Sequence, residues 1–109
     1  MRDRLKSTEC SRYLKAIADP DRLKLIQCLG AGPRHVGDLT RELNKPIANV
    51  SHHLGLLKNA GIVNASKKGR FVLYTLAPKF LRQASQSPLN VLDFGCCRLE
   101  LGEKEKTTP

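Results

Sequence analysis

The apolar residues of this chain recur three or four positions apart in four successive segments, the spacing that places them on one face of a helix. Residues 4–18 form the first segment, the second ends at Leu29, and the last two lie within residues 36–59. The apolar positions are Cys10, Leu14, Ile17; Leu23, Ile26, Leu29; Val36, Leu39, Leu43; and Ile47, Val50, Leu54, Leu57. The pattern therefore predicts four helices with their apolar faces turned toward a common core.

Helix-breaking residues separate these segments. Asp19-Pro20 has the residue types of an N-cap and a first helical position, so a helix is expected to begin there. Asn44-Lys45-Pro46 is typical of a tight turn, and a longer helix is predicted from Ile47 to Asn59, closed by Gly61. A short helix, a tight turn and a longer helix with an outward polar face form a helix-turn-helix.

After Gly61 the period changes from 3.6 residues to about two, which is the period of a strand. Residues 62–66 and 70–76 are predicted to be two strands, joined by a hairpin at residues 67–69 in which Gly69 takes a positive φ. The fold class predicted is mainly α with a small β-hairpin (α+β), in the arrangement of a winged helix-turn-helix. The tip of such a wing can reach a phosphate backbone or a minor groove.

The length of 109 residues suits one domain, predicted over residues 1–101. Its core is expected within residues 13–76, followed by a C-terminal strand or dimerisation segment over 79–101 and a polar tail over 102–109. The apolar phase changes within Gly95-Cys96-Cys97, which indicates a single strand carrying a bulge.

The charge is unevenly distributed. The formal net charge is +9, yet no Asp or Glu occurs from Leu43 to Leu92, where seven basic residues lie. An acid-free stretch inside a folded domain favours a polyanionic partner, because phosphate contacts supply most of the sequence-independent affinity for DNA. An ordinary solvated basic surface is the alternative.

Candidate DNA-binding residues follow from the predicted helix-turn-helix and wing. Asn49, Ser51 and His52 point away from the apolar face and are predicted to reach base edges or phosphates, while Pro46 and Ala48 are predicted to meet thymine methyl groups. His53 lies nearer the buried side and is expected to be a packed, hydrogen-bonded histidine. Contacts with the DNA backbone are predicted for Lys45, Lys58, Lys67, Lys68 and Arg70, with Arg70 also a candidate for the minor groove.

Several of these segments resemble the ArsR/SmtB family of bacterial repressors. The resemblance covers Tyr13 to Leu76 and rests on YLKAIADPDRLKLIQCL, VGDLTRELN, VSHHLGLLKNAGIV and KKGRFVLYTL. It implies a homodimer with a helical interface that occludes a promoter, and in many members a thiophilic or transition metal ion releases the DNA. The apolar Pro46-Ile47-Ala48 departs from the polar residues often found at this turn.

The resemblance also implies particular positions for a metal sensor site. Many relatives carry Cys-Val-Cys before Asp-Leu, where this chain has His35-Val36-Gly37. Others bind zinc through His and Asp side chains on the last helix, and this chain has no His beyond His53. The remaining candidates are Cys96 and Cys97, with Cys10, from the same chain or from the other subunit, as a third ligand. Thiolates favour soft ions such as As(III), Cd(II) or Pb(II). Small buried side chains and a redox switch are the alternatives, and Cys28 is assigned to the core.

The sequence also bears on other classes of function. The N-terminus has no apolar signal region and no stretch is long enough to span a membrane, so a cytoplasmic location with cysteines as free thiols is expected. No catalytic constellation is apparent, so an enzyme is not expected. The alternative to an operator-binding regulator is a winged-helix module that binds protein or RNA.

Overall fold

A computed structural model describes residues 6–78 and 91–100. Within these residues the chain forms helices and small antiparallel sheets. In chain order the elements are α1 (Ser7–Ile17), α2 (Pro20–Gly30), β1 (Arg34–His35), α3 (Val36–Leu43), α4 (Ile47–Asn59), β2 (Val63–Lys68), β3 (Phe71–Leu76), β4 (Val91–Asp93) and β5 (Arg98–Glu100). The predicted tail over 102–109 and most of the segment before β4 lie outside the described residues.

Helix α2 begins at Pro20 with Asp19 as its N-cap, as the sequence predicted. The Asp19 carboxylate accepts hydrogen bonds from the backbone N–H groups of Asp21 and Arg22, at 2.9 and 3.1 Å, and Pro20 occupies the first turn. Burial alone would raise the pKa of Asp19, but these two amide donors and the nearby His53 and Arg22 lower it below its ordinary value. The ionised cap therefore stabilises the start of α2.

Asp19→Ala is expected to lower the free energy of unfolding by about 1 kcal/mol, because the first turn of α2 loses its capping oxygen. Asp19→Asn keeps an oxygen and should lose less. Because the folded-state pKa lies below the ordinary value of 3.8, the contribution of the carboxylate is complete above that pH and is lost as the pH falls through the lower folded value. Denaturant unfolding of wild type and Asp19→Asn should therefore converge below pH 3.8; a difference independent of pH would contradict this role.

The helix-turn-helix has the boundaries predicted for it. The turn depends on Asn44, which takes a left-handed conformation (φ 53°) and donates its N–H to the Thr40 carbonyl at 2.9 Å. Asparagine tolerates this conformation better than most residues. Pro46 then precedes α4, whose thirteen residues match the predicted range from Ile47 to Asn59.

The core lies between the helices and the inner face of the sheet. Two of the predicted inward residues are exposed instead: Leu14 is 41% exposed and Ile47 is 57% exposed. On α1 the inward position is taken by Tyr13, which lies one residue before Leu14 and so about 100° around the helix from it. The Tyr13 ring stacks on Phe94. The buried residues are Cys10, Tyr13, Ile17, Leu25, Ile26, Leu29, Leu39, Leu43, Val50, Leu54, Leu57, Ile62, Val63, Leu76, Ala77 and Phe94.

The wing is a three-stranded antiparallel sheet in the order β1-β3-β2. Its connection is shorter than predicted: Lys67 and Lys68 belong to β2, paired with Val72 and Phe71, and the turn is Gly69-Arg70. Gly69 has a φ of +63°, as predicted, and supplies the positive φ that a two-residue hairpin needs. The pairing of Arg34 with Tyr74 in β1 was not predicted, because a two-residue strand shows no alternation.

The C-terminal segment is a hairpin, so the prediction of one bulged strand is wrong. Strands β4 and β5 are antiparallel, with Asp93 paired to Arg98, and the chain reverses between them. Gly95 has a φ of +86°, and the Phe94 N–H donates to the Cys97 carbonyl at 2.9 Å. The change of apolar phase arises from this reversal. In the described part of the chain, none of the helices has both the length and the apolar character required to cross a bilayer.

Candidate functional site

The outward face of α4 carries the side chains predicted to contact a partner. Asn49, Ser51 and His52 are exposed, opposite the buried face formed by Val50, Leu54 and Leu57. Pro46 and Ala48 are also exposed at the start of the helix, and the exposed Ile47 lies between them. The structure thus brings five of the predicted residues to one end of one helix, and Ile47 adds an apolar contact that the prediction had placed in the core.

The N-terminus of α4 is suited to an anion. Pro46 makes no side-chain cap, and the first turn contains no acidic residue. The positive end of the helix dipole and the N–H groups of the first turn are therefore not neutralised by a carboxylate of the helix itself. A phosphate placed there would meet both.

Five cations predicted to contact a backbone are exposed, but they do not form one cluster. Lys45 lies beside the start of α4, with its Nζ 3.9 Å from the Asp21 carboxylate. Lys58 lies in the last turn of α4, about 16 Å along the helix axis from Ile47 at its start. Lys67, Lys68 and Arg70 form the exposed tip of the wing. The positive surface therefore extends from both ends of α4 to the hairpin.

His53 anchors α4 to the start of α2. Its Nδ1 lies 3.1 Å from an Arg22 guanidinium nitrogen, and its Nε2 lies 3.6 and 3.8 Å from the carboxylates of Asp21 and Asp19. A guanidinium can only donate, so Nδ1 accepts and the Nε2–H is directed at the carboxylates. The ligand atoms of Asp19, Asp21 and His53 lie close enough to share a cation. Within the described residues the only hydrogen bond of the His53 ring is the one to Arg22, and its two carboxylate contacts are longer, electrostatic ones. The prediction of a packed, hydrogen-bonded histidine is confirmed, whereas its partner Arg22, 31 positions away, had no local indication in the sequence.

Three cysteines meet between α1 and the C-terminal hairpin. Cys10 and Cys96 are joined by a disulfide with a Cα–Cα distance of 5.9 Å, so the expectation of free thiols is wrong for this pair. Cys97 is free and half-buried, and the three sulfur atoms lie within 4.8 Å of one another. Because Cys96 and Cys97 lie in a turn, the alternation of a strand does not separate them. Cys10 comes from the same chain, so the cluster is complete without a second subunit.

The sulfur atoms of this cluster fit a soft cation when they are reduced. With the zinc–sulfur distance of about 2.3 Å as a guide, tetrahedral geometry places two sulfurs about 3.8 Å apart, below the 4.8 Å within which the three sulfur atoms lie. The bonded Cys10 and Cys96 sulfurs separate when they are reduced. The fourth cysteine, Cys28, lies apart on α2 and packs against the core, as predicted. Burial and the nearby Glu42 raise the pKa of its thiol, with Arg34 and Lys24 opposing them, so Cys28 is a poor thiolate donor.

The fold and the exposed face of α4 define a winged helix-turn-helix protein. A family model of bacterial regulatory proteins, the arsR family, matches residues 19–65. The transcriptional repressor SdpR of Bacillus subtilis is 35% identical over 85 residues, which cover 78% of this chain and 94% of SdpR. A Staphylococcus aureus homolog of the cadmium resistance regulatory protein CadC is 34% identical over 76 residues, covering 69% of this chain and 63% of that protein.

Solved structures agree with this assignment. The solution structure of a homodimeric winged helix-turn-helix DNA-binding domain from Mycobacterium bovis superposes with a TM-score of 0.67 at 26% identity, covering 79% of this chain and 82% of that one. The chain belongs to the ArsR family of bacterial transcriptional regulators. The predicted family, fold class and DNA-binding function are thereby confirmed, and double-stranded DNA is the partner of such a fold.

Proposed function

We propose that two copies of this chain form a homodimer that binds an inverted-repeat operator in duplex DNA and represses transcription. The observation that carries this proposal is the exposed polar face of α4, uncapped and free of acid in its first turn, followed by a basic wing. Repression is supported by the similarity to SdpR, and a homodimer by the similarity to the Mycobacterium bovis domain. The proposed repressor acts in the cytoplasm, the location expected from the sequence.

The predicted contact residues fall into two groups, those that meet bases and those that contact the DNA backbone. Asn49 can pair bidentately with adenine, and Ser51 and His52 can hydrogen-bond to neighbouring bases or phosphates. Pro46 and Ala48 meet thymine methyl groups, and the N–H groups of the first turn receive a phosphate. The cations Lys45, Lys58, Lys67 and Lys68 contact the sugar-phosphate backbone, which sets register and affinity more than sequence preference.

The dimer interface is helical. Leu14, 41% exposed on α1, is the apolar side chain that this interface would cover. A two-fold axis would place the two copies of α4 in successive major grooves, about 34 Å apart.

Substitution of Arg70 tests whether the wing contacts DNA. Arg70→Ala is expected to weaken binding to all duplexes by a similar factor, because the side chain contacts phosphate or the minor groove at the hairpin tip. The slope of log K against log salt should fall in magnitude by about 0.9 per subunit, and about 1.8 for a dimer. Lys24→Ala, which removes the same charge from an exposed position on α2, serves as the matched control and should leave the slope unchanged. Gel-shift titrations over a range of salt measure both; equal slopes in wild type and Arg70→Ala would exclude the wing from the interface.

We further propose that a soft metal ion is the inducer. Cys10, Cys96 and Cys97 are the residues that would hold As(III), Cd(II) or Pb(II) as thiolates, and the similarity to a cadmium resistance regulator supports this chemistry. A bound ion would tie α1 to the C-terminal turn, and α1 carries the exposed Leu14 of the proposed interface. Selection of bound DNA from a random pool, repeated with each ion, tests operator binding and induction together. Enrichment lost with an ion is expected, and enrichment unchanged by all three ions would contradict the inducer.

A further inference from the structure

The cysteines proposed as ligands are the same ones that form a disulfide. Cys10 and Cys96 are bonded, while Cys97 keeps its thiol within 4.8 Å of both sulfurs. A sulfur in a disulfide has no thiolate to offer, and the thiolate is the species that binds a metal. The cluster therefore has two chemically distinct states, with one ligand or with three.

We infer that the Cys10–Cys96 disulfide is a redox gate on the soft-metal site: the oxidised protein does not chelate the ion and the reduced protein does. This inference rests on the soft-metal part of the proposed function. Closing the gate joins the Cys10 and Cys96 sulfurs, releases two protons and transfers two electrons to an oxidant. A low-molecular-weight disulfide such as oxidised glutathione accepts them, its S–S bond breaks, and it leaves as two thiols.

Packing holds the sulfurs together in both states. The Tyr13 and Phe94 rings stack with centroids 4.9 Å apart and planes 9° from parallel, and both residues are buried. Tyr13 lies one turn after Cys10 on α1, and Phe94 lies in the same turn as Cys96 and Cys97. Because these contacts do not depend on the S–S bond, the reduced protein keeps three thiols assembled for an ion.

Cys97 can exchange with the disulfide without opening the gate. Its thiol lies close enough to the disulfide for exchange, in which its thiolate attacks the Cys10 sulfur, Cys96 leaves as a thiolate, and the number of bonds is unchanged. In either arrangement one thiolate remains, and a single ligand cannot chelate. The gate therefore depends on whether the bond exists and not on which partner Cys10 holds.

The test compares the full chain in two redox states. Protein treated with oxidised glutathione should show two reactive thiols after unfolding, and protein treated with a phosphine reductant should show all four. Equilibrium dialysis with Cd(II) should then give one ion per reduced chain. The oxidised chain should bind at least about 100-fold more weakly, since the loss of mere outer-shell partners already costs about 10- to 100-fold.

Variants assign the gate to its residues. Cys28→Ser is the matched control and should keep both the gate and the Cd(II) site, because Cys28 lies outside the cluster. Cys10→Ser should weaken Cd(II) binding under reducing conditions and abolish the response to oxidised glutathione. Cys97→Ser should still form the disulfide but bind Cd(II) weakly when reduced.

The outcomes distinguish failure of the gate from failure of the proposed function. Equal Cd(II) affinity in the two states, or no loss of thiols with oxidised glutathione, overturns the gate and leaves the metal site standing. Absence of Cd(II) binding in both states overturns the gate together with the soft-metal inducer. Operator binding by the reduced, metal-free protein is measured separately by gel shift, so the repressor proposal stands or fails independently.

Discussion

Asn49→Ala is expected to relax the sequence preference of this regulator by about 5- to 150-fold per half-site, because a bidentate contact with a base is worth about 1–3 kcal/mol of discrimination. Asn49 is exposed near the start of α4, on the surface opposite the buried residues, so its loss leaves the core unchanged. Affinity for the selected operator should fall, while affinity for unrelated duplexes should stay near that of the wild type. Competition gel shifts with operator and random DNA measure the ratio.

The matched control lies on the same helix. Asn59→Ala removes the same side chain from an exposed position at the opposite end of α4 and should keep the wild-type ratio. The contrast with Arg70→Ala is also informative, since that variant should weaken all duplexes alike. If Asn49→Ala and Arg70→Ala changed operator and random DNA by the same factor, the division between base readers and backbone contacts would be wrong.

Leu54→Ala is expected to have the largest effect on stability. Leu54 is 0% exposed at the middle of the buried face of α4, and truncating such a side chain costs about 2–5 kcal/mol through lost burial and the cavity that remains. For a domain of this size the melting temperature should fall by roughly 10–30 °C. Calorimetry at one fixed protein concentration measures it, because a dimer melts in a concentration-dependent way.

Leu56→Ala provides the comparison for that result. Leu56 lies two positions away on α4 and is 38% exposed, so its truncation should lower the free energy of unfolding by only about 1 kcal/mol. Similar losses of melting temperature in the two variants would mean that α4 does not bury the face described here.

The segments that could be predicted from sequence are those with strong local determinants. Asp19-Pro20 is a cap and a first-turn proline, and Asn44 to Pro46 combines a residue that tolerates positive φ with one that breaks helices. Together with a regular 3.6-residue period they placed α2 and α4 correctly. The wing could be predicted from Gly69 and the change of period. Its turn is shorter than predicted because Lys67 and Lys68 pair with β3 and so extend strand β2.

The features that could not be predicted depend on contacts between distant residues. Leu14 and Tyr13 are both compatible with a buried position on α1, and the choice between them is made by Phe94, which no local pattern connects to α1. The reversal at Gly95 looks in sequence like a bulge, because both change the apolar phase.

The candidate sites show the same limit. Cys10, 86 positions from Cys96, was proposed as a third ligand only because it was a spare thiol, and the fold places it in the same chain's cluster. Helical periodicity alone was enough to predict the exposed residues of α4. The contact of His53 with Arg22 depends on how α4 packs on α2, which the sequence does not show.

The most direct test of the account is a hydroxyl-radical footprint of the reduced, metal-free protein on an operator selected from random DNA. If α4 lies in the major groove and the wing holds the adjacent backbone, two protected half-sites should appear as an inverted repeat with centres about 10–10.5 base pairs apart, or a multiple of that, on one side of the duplex. Half-sites separated by a non-integral number of turns would contradict this geometry. Failure to enrich any duplex would contradict the central claim itself and would favour a winged-helix module for protein or RNA.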